Sequence, residues 1–399
     1  MAILQLSELH TSGSGFRRED QVLLSCAAVR AEGGDGRIRM LLGEPLDWPY
    51  LEEAAQWHGV LPLVYGRLRD ACPDLVPEPV MAGLRDGFTQ NARRNLFLTG
   101  ELLRLLDLLH AGGIPAVAYK GPTLAALAYG NLTLRDFADN DIMIRKNDFG
   151  RARELLVTEG YRPEFSLTRD QEAAYQRSRH SLVFVDERGS IVELHWAIQP
   201  RYFSFALDPE TLWTRLQPVR LAGRTIATFS REDLLLILSL HGAKHSWCRL
   251  EWVCDVAALA GADAGIDWDR VLAESRRLGA RRMLLLGLRL AQDLLSAEVP
   301  EPLMPLMEAD PAVAALAGRV RRRLFAGRGQ PGLLESSVFF LRAREHLGDR
   351  VRYCARLAAT PYVRDWAVLP LPGAMSPLYY LIRPFRMIGR YAAAALRRE

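Results

Sequence analysis

The segment Phe137-Ala138-Asp139-Asn140-Asp141-Ile142-Met143-Ile144 decides how this sequence is interpreted. Its apolar residues predict a short strand, and side chains two residues apart on a strand point to the same face. Asp139 and Asp141 are therefore expected side by side, where two carboxylates repel each other unless a cation lies between them. Hard divalent cations, Mg²⁺ above all, bind to one or two carboxylates together with substrate phosphates. The segment predicts a strand that can carry such a cation.

A second strand is predicted just upstream. The apolar run 114–119 ends in Lys120-Gly121-Pro122, a pattern typical of a strand, a tight turn and the first turn of a helix. A glycine at this turn allows the backbone to approach a phosphate, and a helix N-terminus attracts anions. Lys120 is one of only three lysines among 51 basic residues, which indicates a position where a compact charge is useful.

A third carboxylate lies further along the chain. The segments 182–185 and 191–196 predict two more strands, and Glu193 and His195 stand within the second. A charged residue between Val192 and Leu194 suits a face turned toward a polar site. The alternative is an ordinary half-exposed strand whose Glu193 and His195 face water.

A downstream helix carries His241, Lys244 and His245 on one face, at positions i, i+3 and i+4. Three interpretations remain open. The group borders a cleft, or its histidines bond across a domain interface to Glu193 or Asp255, or the His-x-x-x-His spacing binds zinc.

The chain has 399 residues, and its pattern divides into three parts. Residues 1–110 are predicted to be helical, residues 111–230 to form a small mixed α/β unit, and residues 231–399 to be helical with a basic tail. An α+β fold is therefore expected, with the segment of prolines 370–384 forming an extended arm with short helices. The last 60 residues hold eleven arginines against four acidic residues, which indicates either a solvated helical face or a surface for nucleic acid.

Several classes are disfavoured by the sequence. No apolar run approaches the length of a membrane span, and the first residues lack a signal-peptide pattern, so a cytoplasmic location is expected. The five scattered cysteines predict reduced thiols. Walker, dinucleotide-binding and Gly-x-Ser-x-Gly motifs are absent.

Together these motifs resemble the polymerase-β-like nucleotidyltransferase superfamily, and in particular a bacterial group of nucleotidyltransferase-family proteins with unknown substrates. The matching positions are Tyr119-Lys120-Gly121, Tyr129, Arg135, Asp139 with Asp141, Glu193-Leu194-His195-Trp196, and His241-Gly242-Ala243-Lys244-His245-Ser246-Trp247 with Asp255. The resemblance extends from the N-terminal helices to about residue 260.

The resemblance implies an enzyme that transfers a nucleoside monophosphate from an NTP such as ATP to an unidentified acceptor and releases pyrophosphate. Asp139, Asp141 and Glu193 would be catalytic and hold Mg²⁺ or Mn²⁺. Nucleotide contacts would come from a wider set: Lys120, Gly121, Thr123, Arg135, His195, His241, Lys244 and His245. Arg135, four residues before Asp139, could bind a phosphate or instead hold a carboxylate. The acceptor could be a small molecule, a peptide or protein, or RNA.

One departure from the pattern keeps other functions open. Better-studied relatives carry Gly-Ser after the first strand, whereas Gly121 is followed here by Pro122 and Thr123. One alternative is a nucleotide-binding regulatory protein without turnover. Another is an RNA-modifying enzyme that uses the basic C-terminal segment.

Overall fold

The structure, a computed structural model, describes residues 15–28, 34–166, 168–205, 207–261, 265–327, 329–360 and 378–396. The helices among them are α1 (Arg18–Ala27), α2 (Gly34–Leu42), α3 (Trp48–Trp57), α4 (Leu61–Ala71), α5 (Glu78–Ala111), α6 (Gly121–Leu124), α7 (Phe149–Thr158), α8 (Arg169–Ser178), α9 (Pro209–Trp213), α10 (Arg231–Lys244), α11 (Leu250–Gly261), α12 (Trp268–Arg277), α13 (Arg281–Leu295), α14 (Met304–Ala309), α15 (Pro311–Leu324), α16 (Leu333–Ala343), α17 (Leu347–Ala359) and α18 (Leu378–Leu396). The strands are β1 (Ala116–Ala118), β2 (Asp139–Ile144), β3 (Arg162–Pro163), β4 (Ser181–Val185), β5 (Ile191–His195), β6 (Gln217–Leu221) and β7 (Arg224–Thr228).

A five-stranded mixed sheet forms the centre of the fold, in the order β1-β2-β5-β4-β3. The central pair β2 and β5 is parallel, and the other pairs are antiparallel. β6 and β7 form a separate hairpin. Helices precede and follow the sheet in the chain, so the expected α+β class is confirmed.

The hydrophobic core does not follow the three predicted parts of the chain. Its larger cluster joins buried residues of the N-terminal helices, such as Leu51, with Val117 and Met143 of the sheet and with Leu235 and Leu286 of the C-terminal helices. A second cluster lies between the sheet and helices α5 and α7. The helical regions therefore share apolar contacts with the strands, and the boundaries near 110 and 230 remain a proposal about the chain.

The long helix α5 fixes the segment that leads into β2. Asn95 Nδ2 donates to the carbonyl oxygens of Leu132 (2.7 Å) and Arg135 (2.8 Å). The amide of Asn91 donates to the carbonyl of Thr133 at 3.0 Å. Asn140, inside β2, donates to the carbonyl of Leu98 on the same helix at 3.1 Å. Because these amides are buried, their hydrogen bonds set the position of the acidic strand relative to α5.

The four predicted strands 114–119, 137–144, 182–185 and 191–196 are confirmed as β1, β2, β4 and β5, with shifted ends. The hairpin of β6 and β7 was not predicted. The described cysteines are free thiols, and all except Cys354 are buried. No described helix is both long and apolar enough to span a bilayer.

One arginine of the basic tail is part of the folded core. Arg344 is fully buried, donates to the carbonyl of Ser204, and lies 3.7 Å from Asp349. Pro384 lies inside α18 rather than in an extended arm. The other prolines of that predicted arm fall outside the described residues.

Candidate active site

Three carboxylates share one face of the central strand pair. Asp139 and Asp141 alternate with Asn140 on β2 and project to the same side. The parallel register places Asp141 opposite Glu193 of β5. Residues paired across neighbouring strands project to the same face of a sheet. The sheet therefore brings the three predicted catalytic residues to one face.

Asp141 is the most enclosed of the three, with 4% of its surface exposed. Lys120 Nζ lies 3.4 Å from its Oδ1, and His195 Nε2 donates to the same oxygen at 2.9 Å. Burial opposes ionisation of Asp141, but the charge of Lys120 and the hydrogen bond from His195 lower its pKa well below the ordinary value. Asp141 is therefore a carboxylate anion at neutral pH.

The pKa of Asp139 is shifted in the opposite direction. Burial and the nearby negative charge of Asp141 raise its pKa to about 6, although Lys120 partly offsets them. Burial is the larger cause, and the charge of Asp141 adds the repulsion expected of two carboxylates on one face.

Glu193 and two histidines form a second potential ligand group. Ser181 Oγ donates to Glu193 Oε1 at 2.5 Å, and His195 Nε2 lies 3.6 Å from Glu193 Oε2. His180, Glu193 and His195 each offer one ligating atom within 4.8 Å of the others. Nδ1 of His195 is buried and has no hydrogen-bonding partner among the described residues.

Helix α10 covers this group and encloses a cavity of about 240 Å³. His241, Lys244 and His245 line one side, and Lys120 and Glu193 line the other. Burial, followed by the charge of Lys120, lowers the pKa of Lys244 to about 8. Two of the chain's three lysines therefore line one small cavity.

The rings of His241 and His245, at the C-terminal end of α10, contact each other and the ring of Trp252. Their ring centroids are 4.7 Å apart and lie 5.4 Å (His241) and 5.2 Å (His245) from that of Trp252. Neither imidazole has a hydrogen bond to Glu193 or Asp255 in the part of the chain that the structure describes, and neither belongs to the group of three ligating atoms. Burial, then the charge of Lys244, lowers the pKa of His245 to about 3, so the ring is neutral. The arrangement supports the cleft interpretation of this motif over the zinc one.

Gly121 and Thr123 have a structural role in this conformation. Gly121 adopts φ +50°, and a Cβ atom at this position would lie 2.9 Å from the carbonyl oxygen of Asp139. Only glycine accommodates both features without strain. Thr123 is fully buried, and neither residue lines the cavity beside Lys120. The geometry gives no support to their predicted contact with nucleotide phosphates.

Of the two partners expected for Arg135, a phosphate or a carboxylate, the structure shows a carboxylate. Its Nε and Nη2 donate to the two carboxylate oxygens of Asp255 on α11, at 2.8 and 2.9 Å. Tyr129 donates to Asp255 Oδ1 at 2.9 Å. This buried pair joins the loop before β2 to the C-terminal helices. Because both donor groups bond to Asp255, Arg135 positions that loop instead of facing the cavity.

Comparison with known proteins adds the family. Residues 44–296 match the sequence profile of a family described as "Uncharacterised nucleotidyltransferase". The chain belongs to this nucleotidyltransferase family. Membership supports a general nucleotidyl transfer activity, and thereby an NTP as substrate. No curated protein matches the sequence.

Among solved structures, this nucleotidyltransferase-family chain is similar to the crystal structure of an antigenic nucleotidyltransferase-like protein from Paracoccidioides brasiliensis. The two are 16% identical, and the alignment covers 52% of this chain and 96% of the other, with a TM-score of 0.30.

The residues present fit a divalent cation. Three carboxylates share one face, where burial and the negative charge of Asp141 raise the pKa of Asp139, and His180 and His195 offer ligating nitrogens near Glu193. Carboxylate oxygens suit Mg²⁺ or Mn²⁺, and the adjacent imidazoles add ligands that Mn²⁺ accepts more readily than Mg²⁺.

His180 is the site residue that the sequence analysis missed. It precedes β4 directly, and no motif or spacing marks it. The antiparallel register, which pairs Ser181 with His195, brings it to the site. Only knowledge of the strand pairing could have indicated this contact.

Proposed function

We propose that this protein is a divalent-metal-dependent nucleotidyltransferase that transfers a nucleoside monophosphate from an NTP to an acceptor and releases pyrophosphate. The observation that supports it most directly is the register of β2 and β5, which places Asp139, Asp141 and Glu193 on one face beside Lys120.

Asp139, Asp141 and Glu193 would hold the divalent cation, which when bound neutralises the charge of the triphosphate. Lys120 and Lys244 would bind phosphate oxygens from opposite sides of the cavity. His195 orients Asp141 through its hydrogen bond. Helix α10 excludes water from the buried side of the cavity, where charge interactions are stronger.

Glu193 has a further role within this proposal. Its side chain is one-quarter exposed and is held by Ser181, so one carboxylate oxygen remains available to the cavity. This oxygen could accept the proton of an acceptor hydroxyl. Completing a second cation position is the other role that the same geometry supports.

The test is turnover with paired variants. Wild-type protein is incubated with each of the four common NTPs, Mg²⁺ or Mn²⁺, and a cell lysate, and pyrophosphate release is measured. Asp139→Asn and Asp141→Asn should each reduce release by at least about 100-fold, in line with the loss of electrostatic stabilisation at an active site. Asp269→Asn, a change at an exposed residue of α12 away from the acidic face, is the matched control. Release that persists in both site variants would contradict the proposal.

A regulatory protein without turnover is the second candidate, because Gly121 and Thr123 are buried away from the cavity. Calorimetry distinguishes the two functions. NTP binding that depends on Lys120 and Lys244, without pyrophosphate release under any condition, would favour the regulatory function.

A further inference from the structure

A second cavity, of about 440 Å³, lies beside the one that contains Glu193. It is formed where β2 and β5 end and β4 begins. Trp196 and Ala197, which line it, directly follow His195, and Gln199 lines both cavities. Its volume is within the range of small-molecule sites, about 300–1,000 Å³. A compound bound there would lie next to the catalytic face.

The charge of this second cavity is strongly unbalanced. Its walls carry one carboxylate and five cationic side chains: Arg145, Lys146, Arg177, Arg179 and Arg201. The carboxylate, Glu210, is paired with Arg145 at 3.2 Å. Among the described residues, no carboxylate lies within ion-pair distance of Lys146, Arg177 or Arg201. These three side chains come from different elements: the turn after β2, helix α8 and the turn after β5.

The three cations interact unfavourably with one another. Burial, together with the charges of Arg177 and Arg201, lowers the pKa of Lys146. Gathering like charges around a cavity costs free energy unless an anion is bound among them. Two arginine forks and one ammonium are well suited to an anion that carries two charges, such as a phosphate monoester.

The remaining walls indicate what else such a compound would carry. Trp196, Phe205, Leu207 and Pro209 give the cavity an apolar side that suits a carbon skeleton. Gln199 Oε1, between the two cavities, is buried and has no hydrogen-bonding partner among the described residues. It can accept a hydrogen bond from a hydroxyl group of the bound compound.

We propose that the second cavity binds the acceptor, a small anionic compound whose phosphate or carboxylate groups contact Lys146, Arg177 and Arg201 and whose hydroxyl passes Gln199 toward Glu193. This inference rests on the proposed function. The hydroxyl oxygen forms a bond to the α-phosphorus of the NTP, the bond from that phosphorus to the bridging oxygen breaks, and pyrophosphate leaves. Glu193 takes the hydroxyl proton. A volume of about 440 Å³ fits a small compound rather than an extended RNA strand.

The first experiment fractionates the acceptor. An extract of the source cells is divided into RNA, protein and low-molecular-weight fractions, and label from the α-phosphate of an NTP is followed into product. Transfer should require the small-molecule fraction and disappear when an anion exchanger has depleted it. Phosphatase treatment then separates the two anion types, because it abolishes a phosphorylated acceptor and spares a carboxylate one. Transfer only to RNA or protein, or to compounds that pass through the exchanger, would overturn the inference while leaving the proposed function intact.

The variant Arg177→Ala/Arg201→Ala connects the acceptor to this cavity. It should raise the amount of extract needed for half-maximal transfer by about 10-fold or more, since hydrogen bonds to charged groups contribute about 1.5–3 kcal/mol. Its Kd for NTP should remain within about twofold of wild type. Arg276→Ala, an exposed arginine of α12, is the matched control and should change neither value. An unchanged requirement for extract in the double variant would contradict the assignment.

A binding measurement does not depend on turnover. Inorganic phosphate is titrated into the full-length protein in a calorimeter. Wild type and Arg276→Ala should show a binding component that Arg177→Ala/Arg201→Ala lacks, whereas identical isotherms for all three proteins would overturn the inference. Phosphate binding at this cavity in a protein that shows no transfer would show that the proposed function, rather than the anion site, is wrong.

Discussion

The buried pair of Arg135 and Asp255 allows a sharp test of how the sheet is joined to the C-terminal helices. Only 11% of the Arg135 side chain and 1% of the Asp255 side chain are exposed. Removing one partner leaves a buried charge without its counter-ion, which typically costs about 3–5 kcal/mol. Asp255→Leu and Arg135→Met should each lower the free energy of unfolding by about that amount.

The double variant is the decisive member of the series. When both charges are replaced by apolar groups of similar size, no uncompensated charge remains, so its cost should fall at least about 2 kcal/mol below the sum of the single costs. Unfolding in urea, followed by circular dichroism, gives the four free energies of the cycle.

An exposed pair of the same chemistry serves as the control. Arg224 binds both carboxylate oxygens of Asp107, at 2.8 and 2.6 Å, but both side chains are about half exposed. The corresponding cycle at this pair should show no measurable coupling, because water screens exposed charges. Additive single costs at Arg135 and Asp255, or a single cost below about 1 kcal/mol, would refute the reasoning.

Two further predictions concern the histidine at the interface with α11 and the glycine beside the acidic strand. Burial, then the charge of Arg249, lowers the pKa of His58 to about 4, below its ordinary value of 6.5. Between pH 6.5 and 4 the unfolded chain therefore binds the proton more readily than the folded protein. The free energy of unfolding should fall by about 3 kcal/mol as the pH is lowered through that window. His58→Gln should reduce this loss in urea titrations, whereas the surface change His110→Gln should not. Gly121→Ala should destabilise the fold by more than Gly130→Ala does. Both glycines have positive φ, but only at Gly121 would a Cβ atom lie against the carbonyl of Asp139. Equal melting temperatures for the two variants would contradict this account.

Much of the site followed from local patterns in the sequence. Alternation of apolar and charged residues indicated the strands that carry Asp139, Asp141 and Glu193, because a side chain's face on a strand depends only on its neighbours. The resemblance to a known family implied both Lys120 and Lys244 as nucleotide contacts, and the two side chains line one cavity.

The features of the fold and site that the sequence did not predict depend on contacts between distant segments of the chain. Asn95 recurs at helical spacing with Leu98 and Leu102, so its role in bonding to the loop before β2 could not be distinguished from an ordinary helix face. The β6–β7 hairpin turns through Ala222 and Gly223, both with positive φ, and alanine is not a residue that such turns favour. The partner of Arg135 lies 120 residues away, beyond the reach of any local pattern.

The hydrogen bonds from the side-chain amides of α5 limit where the chain can be cut into separate fragments. Since Asn91, Asn95 and the Leu98 carbonyl hold the loop and strand that carry the aspartates, the catalytic unit includes the last part of the N-terminal helical region. A fragment that starts at the boundary near residue 110 would leave the backbone carbonyls of 132–135 without their donors. The N-terminal helices are therefore not an exchangeable module: recombination or truncation at that point would separate the nucleotidyltransferase sheet from the helix that aligns it.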